Sequence, residues 1–173
     1  INLQQIVSRR VNPIDSAVVT VGSFVADNSF NIIADKVKLA GTVRTFNEKV
    51  QNTIMEEMER IIKGTCLAND CQYELSYEKG YPAVVNHDKN VDYIISCAKN
   101  IDEIHTIEET EPIMGGEDFA YYLQHVEGAF FFIGAKQEET DNPFPHHHPK
   151  FDFNEKAMLI AAKTLGSLAL NGK

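Results

Sequence analysis

Three consecutive histidines, His146, His147 and His148, stand between Pro145 and Pro149. Neutral imidazole is a common metal ligand and titrates near physiological pH. The flanking prolines hold such a loop open and stiff, which suits a fixed ligand. The run lies inside the chain with a helical pattern after it, so it is not an appended tag; the other reading is a solvated polar loop. One loop does not complete a metal centre, because zinc takes about three or four protein ligands. No HExxH and no second His/Asp/Glu cluster with ligand spacing occurs, and the scattered His87, His105 and His125 read as surface residues.

Two further groups could touch a substrate. In Met114-Gly115-Gly116-Glu117-Asp118-Phe119, the paired glycines let backbone approach another group closely. Glu117 and Asp118 either serve the site or simply favour the start of a helix through its dipole. In Gly41-Thr42-Val43-Arg44, which follows Asn31-Ile32-Ile33-Ala34-Asp35, Arg44 would stand on a strand. Its planar guanidinium suits a carboxylate, and a surface ion pair is the plainer alternative.

The elements that must position these groups are legible in the hydrophobic spacing. Leu3, Ile6 and Val7 read as a helix that ends at Asn12-Pro13, since proline disfavours helical backbone in the residue before it. Residues 16–24 are β-branched and read as a strand, 27–29 as a turn, and 37–44 as a half-buried strand. Asn47 is a good cap for a helix that turns Val50, Ile54, Met58, Ile61 and Ile62 inward. Alternation over residues 72–78 predicts a third strand, ended by Gly80-Tyr81-Pro82. A second amphipathic helix is expected over 88–100, a short one from Glu117 through Leu123, and a strand covered on both faces over 129–135. The last helix, capped at or near Asn154, should turn Ala157, Ile160, Ala161 and Leu165 inward. The order is α–β–β–α–β, then α–α–β–α, with a boundary near residues 83–86.

Composition bounds the function. With 173 residues, 43% hydrophobic and 24% charged, the chain can bury a core. Its net charge of −9 argues against nucleic acid, whose phosphates need clustered Lys and Arg, and removes any general pull toward an anionic membrane. No apolar run approaches the roughly 20 residues that span a bilayer. The three cysteines, Cys66, Cys71 and Cys97, are odd in number and form no CxxC pair, which suggests a reducing, cytoplasmic setting. The opening Ile1-Asn2-Leu3 reads as the last turns of a helix that begins upstream.

Seven segments in this order resemble the amidohydrolase branch of the M20 metallopeptidases, the group of hippurate and auxin-conjugate hydrolases, N-acetyldiaminopimelate deacetylases and aminoacylases. They are 16–24 (SAVVTVGSF), 31–35 (NIIAD), 41–46 (GTVRTF), 80–85 (GYPAVV), 114–121 (MGGEDFAY), 128–134 (GAFFFIG) and 147–153 (HHPKFDF). Together they extend over nearly the whole chain.

The resemblance implies an α/β fold class in two parts. Residues 1–84 would be an α+β lid, a partial ferredoxin-like sheet with helices on one face, lacking its first strand and most of its first helix. Residues 85–173 would be the C-terminal portion of the α/β catalytic domain. It implies two divalent metal ions, zinc or manganese, with cobalt and nickel also compatible. Only the last of the family's ligands falls in this chain, at His147, and the general-base glutamate lies outside it. It places Asn31 and Arg44 on the substrate's carboxylate and Gly115, Gly116 and Glu117 at the rim of the site. The implied reaction is hydrolysis of the amide of a small N-acyl amino acid: metals activate a water and a carboxylate moves its proton. It further implies a homodimer through the lid, and no activity from these residues alone. Two positions depart from the family pattern: Val25 stands where many members have His, and Ala34 where Pro is usual. The competing expectation is a non-catalytic dimerisation or binding module.

Overall fold

A computed structural model describes residues 1–137 and 139–172. Its elements in order are α1 (Gln4–Arg9), β1 (Ala17–Ala26), β2 (Val37–Thr45), α2 (Glu48–Ala68), α3 (Asp88–Ala98), α4 (Phe119–Leu123) and α5 (Lys156–Asn171). The fold is mixed α/β. The chain forms two compact units: Ile1–Ala83 with Ile113–Asp118, and Val84–Pro112 with Phe119–Lys173.

In the first unit β1 and β2 pair antiparallel, with Val18 opposite Arg44 and Val19 opposite Val43. Side chains alternate across a sheet. Ala17, Val19 and Val43 accordingly face α1 and α2, and their neighbours Val18, Thr20, Thr42 and Arg44 face the other way. Each helix packs on one strand, α1 on β1 and α2 on β2, and the helices touch each other. Ile6 and Ile54, both 0% exposed, sit at the centre of this core with Val11, Val19 and Val50. Burying an aliphatic side chain of this size contributes about 1.5–3 kcal/mol. The expected cap is present: Asn47 Oδ1 accepts from the Lys49 amide at 2.8 Å. The ladder shifts register between Val21 and Ser23, leaving Gly22 unpaired as a bulge. Opposite it the strands come so close that a Cβ on Gly41 would lie 2.0 Å from the Thr20 carbonyl oxygen, so only glycine fits there.

The expected strand over residues 72–78 is not formed. That segment instead runs back along α2, held by side chains. Tyr73 donates its hydroxyl to Glu59, Tyr77 bonds Gln51, and Lys79 Nζ lies 3.1 Å from Asn52 Oδ1 and 3.7 Å from Glu48. A strand needs a ladder partner, and the two strands of the sheet are the only ones among the described residues.

In the second unit α3 packs against α5, and Tyr93 donates its hydroxyl to the Leu168 carbonyl at 2.7 Å. The inward face of α5 is Ala157, Ile160, Ala161, Thr164 and Leu168. Leu165, expected inward, is 58% exposed, because the stripe steps from 161 to 164 to 168 and passes it by about 100°. The short helix α4 starts at Phe119, two residues later than expected. The expected strand over 129–135 is also absent as a ladder. Its backbone is met by side chains: Asn86 Nδ2 donates to the Phe130 carbonyl at 2.8 Å, and Asn86 Oδ1 accepts from the Phe130 amide at 2.7 Å. One amide side chain thereby supplies the pair of bonds a neighbouring strand would have made.

Candidate functional site

Arg44 stands near the end of β2 on the face of the sheet turned away from the helices. Its Nη1 donates to the Met114 carbonyl at 2.7 Å, which brings the Ile113–Asp118 segment onto that face. The sequence reading put Gly115, Gly116 and Glu117 with the later part of the chain; their contacts are with the first unit. A charge-assisted bond of this length is among the stronger hydrogen bonds. A guanidinium carries five donors and this one uses one of them, so Arg44 can hold the loop and still face a carboxylate. Gly115 and Gly116 are exposed and Glu117 is half-buried. The Tyr81 ring lies beside Gly116, with its Cδ2 3.4 Å from where a Cβ would be.

Asn31 lies in the turn that follows β1, exposed. Asn28 shapes that turn by donating to the carbonyls of Ser29 (2.9 Å) and Ile32. Asn31 shares no hydrogen bond with Arg44. The structure therefore brings Arg44 together with the glycine loop.

His147 belongs to the second unit. The three adjacent histidines are not equivalent. The His146 ring meets Phe151 edge-on, with centroids 4.8 Å apart. The His148 ring stacks on Phe144 at 4.3 Å, and its Nδ1 accepts from the Lys150 amide at 3.0 Å. His147 has neither kind of contact, and its φ of 68° is left-handed. A non-glycine residue held there costs about 1–3 kcal/mol, and such residues cluster at functional sites. The loop thus uses two of its imidazoles to pack itself and presents the third.

No group of three or more His, Cys, Asp or Glu side chains among the described residues could hold a metal ion. These residues fit a metal centre as the donor of one ligand, His147, and not as a whole site. Two contributors were not apparent in the sequence reading: the Met114 carbonyl as an acceptor for Arg44, and Tyr81 as the neighbour of the glycine pair. Gly80-Tyr81-Pro82 reads as a strand end and as the start of a family-like segment, and nothing in its spacing points to residue 116.

The chain matches the family described as Peptidase family M20/M25/M40 over residues 5–171, and it belongs to that family. It is similar to a Bacillus subtilis (strain 168) protein provisionally named amidohydrolase YhaA, with 54% identity over 169 residues, 98% of this chain and 43% of that protein. It is also similar to the N-acetyldiaminopimelate deacetylase of Brevibacillus brevis, with 35% identity covering 93% of this chain and 41% of the relative. Among solved structures it resembles Bacillus subtilis YXEP, described as a dinuclear metal-binding peptidase of the M20 family, with a TM-score of 0.73 and 29% identity over 89% of this chain and 41% of that one. The chain spans about two-fifths of the length of the curated relatives it matches.

Proposed function

We propose that the full-length protein is an amidohydrolase that cleaves the amide bond of small N-acyl amino acids, with His147 as one ligand of a centre of two divalent ions, zinc or manganese. The observation that carries this reading is the unengaged His147 ring on left-handed backbone, between two histidines whose rings are tied to the loop's own phenylalanines. A relative that deacetylates N-acetyldiaminopimelate and a dinuclear neighbour support the substrate class and the metal count. The ions, when bound, would supply an activated water and polarise the amide carbonyl.

The chain's own residues do the rest. Arg44 holds the Met114 carbonyl and offers its remaining donors to the substrate carboxylate, so one side chain both shapes the rim and orients the substrate. Asn31 takes a place on the same carboxylate through movement of the turn after β1. Gly115 and Gly116 leave room for substrate beside the rim, and Glu117 flanks it. Residues 1–84 act as lid and residues 85–173 as part of the catalytic domain. The exposed apolar residues of the hairpin, Phe24, Val25, Val37 and Leu39, support a homodimer through the first unit. The free thiols of Cys66, Cys71 and Cys97 fit a cytoplasmic setting.

The test is amide hydrolysis by the full-length protein on a panel of N-acetyl and N-benzoyl amino acids, with and without chelator, beside His147→Ala. Chelator-sensitive release of amino acid, lost with His147, is expected. The 173-residue chain by itself should release none, because its described residues supply one ligand. Absence of hydrolysis by the full-length protein with any added divalent metal, and unchanged metal content in His147→Ala, would leave a binding or dimerisation module as the better reading.

A further inference from the structure

The C-terminal end of α2 holds two of the three cysteines in an arrangement their spacing does not advertise. The amide of Cys71 donates to the carbonyl of Cys66 at 2.9 Å, and Asp70 between them has φ of 52°. With Asn69 as the cap, this is the six-to-one bond and left-handed residue of a Schellman turn. In that motif the first and last of the six residues are those whose side chains meet, and here they are Cys66 and Cys71. Each thiol lies against a backbone carbonyl in or beside this turn. Cys66 Sγ lies 3.9 Å from the Gln72 carbonyl, against the backbone that carries Cys71, and Cys71 Sγ turns back to the Asn69 carbonyl at 3.2 Å. A disulfide asks for Cα atoms about 4.4–6.8 Å apart, and the direct backbone hydrogen bond between the two residues holds them close.

We propose that Cys66 and Cys71 form a reversible intrachain disulfide, a covalent modification site on the cap of α2 that does not rest on the proposed function. Cys71 is exposed, Cys66 half-buried and Cys97 buried, which sets the order of events. The Cys71 thiolate attacks one sulfur of a small-molecule disulfide, forming a mixed disulfide and releasing one small thiolate. The Cys66 thiolate then attacks the Cys71 sulfur, closes the ring and expels the second. Two protein thiols lose two electrons and two protons, and the small disulfide takes up both. The bridge staples the start of the segment that returns along α2 to the end of that helix. In a reducing compartment such a bond is transient, as redox-sensing disulfides are.

Both cysteines fall in one tryptic peptide, residues 64–79, so the bridge is read as the loss of two hydrogens from a single peptide. The full chain is equilibrated with glutathione at a series of oxidised-to-reduced ratios, alkylated and digested, natively and in urea. The turn predicts about tenfold or more bridging in the folded chain over the unfolded one at the same ratio, because the fold raises the effective concentration of one thiol at the other. Cys97 should stay a thiol. Asp70→Gly keeps the left-handed residue and should keep the bridge, whereas Asp70→Val, checked for folding by circular dichroism, should lose most of it. Mixed disulfides with glutathione and no bridge, equal bridging in urea, or undiminished bridging in a folded Asp70→Val would each overturn the proposal.

Discussion

His147 differs from His146 and His148 in what its neighbours leave it to do. The stacked Phe144–His148 pair and the Phe151 edge contact fix the loop, and the left-handed backbone at 147 turns one imidazole out of that packing. Removing His147 should therefore abolish metal-dependent hydrolysis in the full-length protein while costing the fold almost nothing. His147→Ala should lower bound metal by about 10-fold or more on elemental analysis, with a melting temperature close to the parent's. Phe144→Ala should also weaken metal binding, because the loop loses a wall, and in addition should make the loop labile to protease. Sequence spacing pointed to this loop but did not distinguish its three histidines. Family resemblance favours the middle one, and the ring contacts that set it apart from its neighbours are encoded in no linear pattern. In the sequence Arg44 was legible only as a candidate for a carboxylate or for a surface ion pair. Its bond to the Met114 carbonyl was not, since the two residues are far apart in sequence and meet only through the fold.

At the scale of elements, the two strands and the helices α1, α2, α3 and α5 follow from alternation and helical spacing because each buries one face against a neighbour within its own unit. Segments 72–78 and 129–135 carry the same alternation or apolar run, yet neither forms a ladder, because strand character depends on what lies alongside. Asn86 stands in for the missing neighbour of Phe130. Asn86→Ala would leave a donor and an acceptor of Phe130 without partners and should destabilise the second unit by about 1–3 kcal/mol in urea denaturation. Gly41 makes a comparable point in the first unit. Gly41→Ala sets a methyl into the Thr20 carbonyl, and relief requires the strands to part, so a loss of about 3 kcal/mol is expected from the denaturation midpoint. Acid sensitivity belongs to α2. The hydrogen bond from Arg60, with the charges of Arg60 and Arg10, holds the Glu57 carboxyl below its usual 4.5. The unfolded chain therefore takes up that proton first. The stability Glu57 contributes is present above about pH 4.5 and is lost as pH falls through its lower folded value. Glu57→Gln should lower the melting temperature above about pH 4.5 and converge on the parent in acid, which flattens the acid side of the profile.

At the scale of the whole molecule, the first unit exposes more apolar side chain than an isolated surface tolerates. Phe24 is 68% exposed and Ile33 95%, with Val25, Phe30, Ile32, Val37 and Leu39 nearby in the hairpin and its turn. Sedimentation of the chain should show concentration-dependent self-association, and Phe24→Ser with Leu39→Ser should return it toward monomer. A monomer at all concentrations in the unsubstituted full-length protein would remove the dimer reading. The net charge of −9 predicts that raising salt will not weaken this association, since like-charged copies repel and screening relieves them. No helix among the described residues is long and apolar enough to cross a membrane.

The segment Ile113–Asp118 belongs to the first unit although it arrives after the whole of α3. Arg44 therefore waits for its acceptor. During synthesis the ribosome makes β1, β2 and α2, then residues 84–112, and only then the Met114 carbonyl. At ordinary elongation rates that interval is on the order of a few seconds, long enough for the hairpin and helices to settle with the guanidinium still in water. A gene cut after residue 83 would express a unit frozen at that unfinished moment, with the acceptor of Arg44 left behind on the discarded piece.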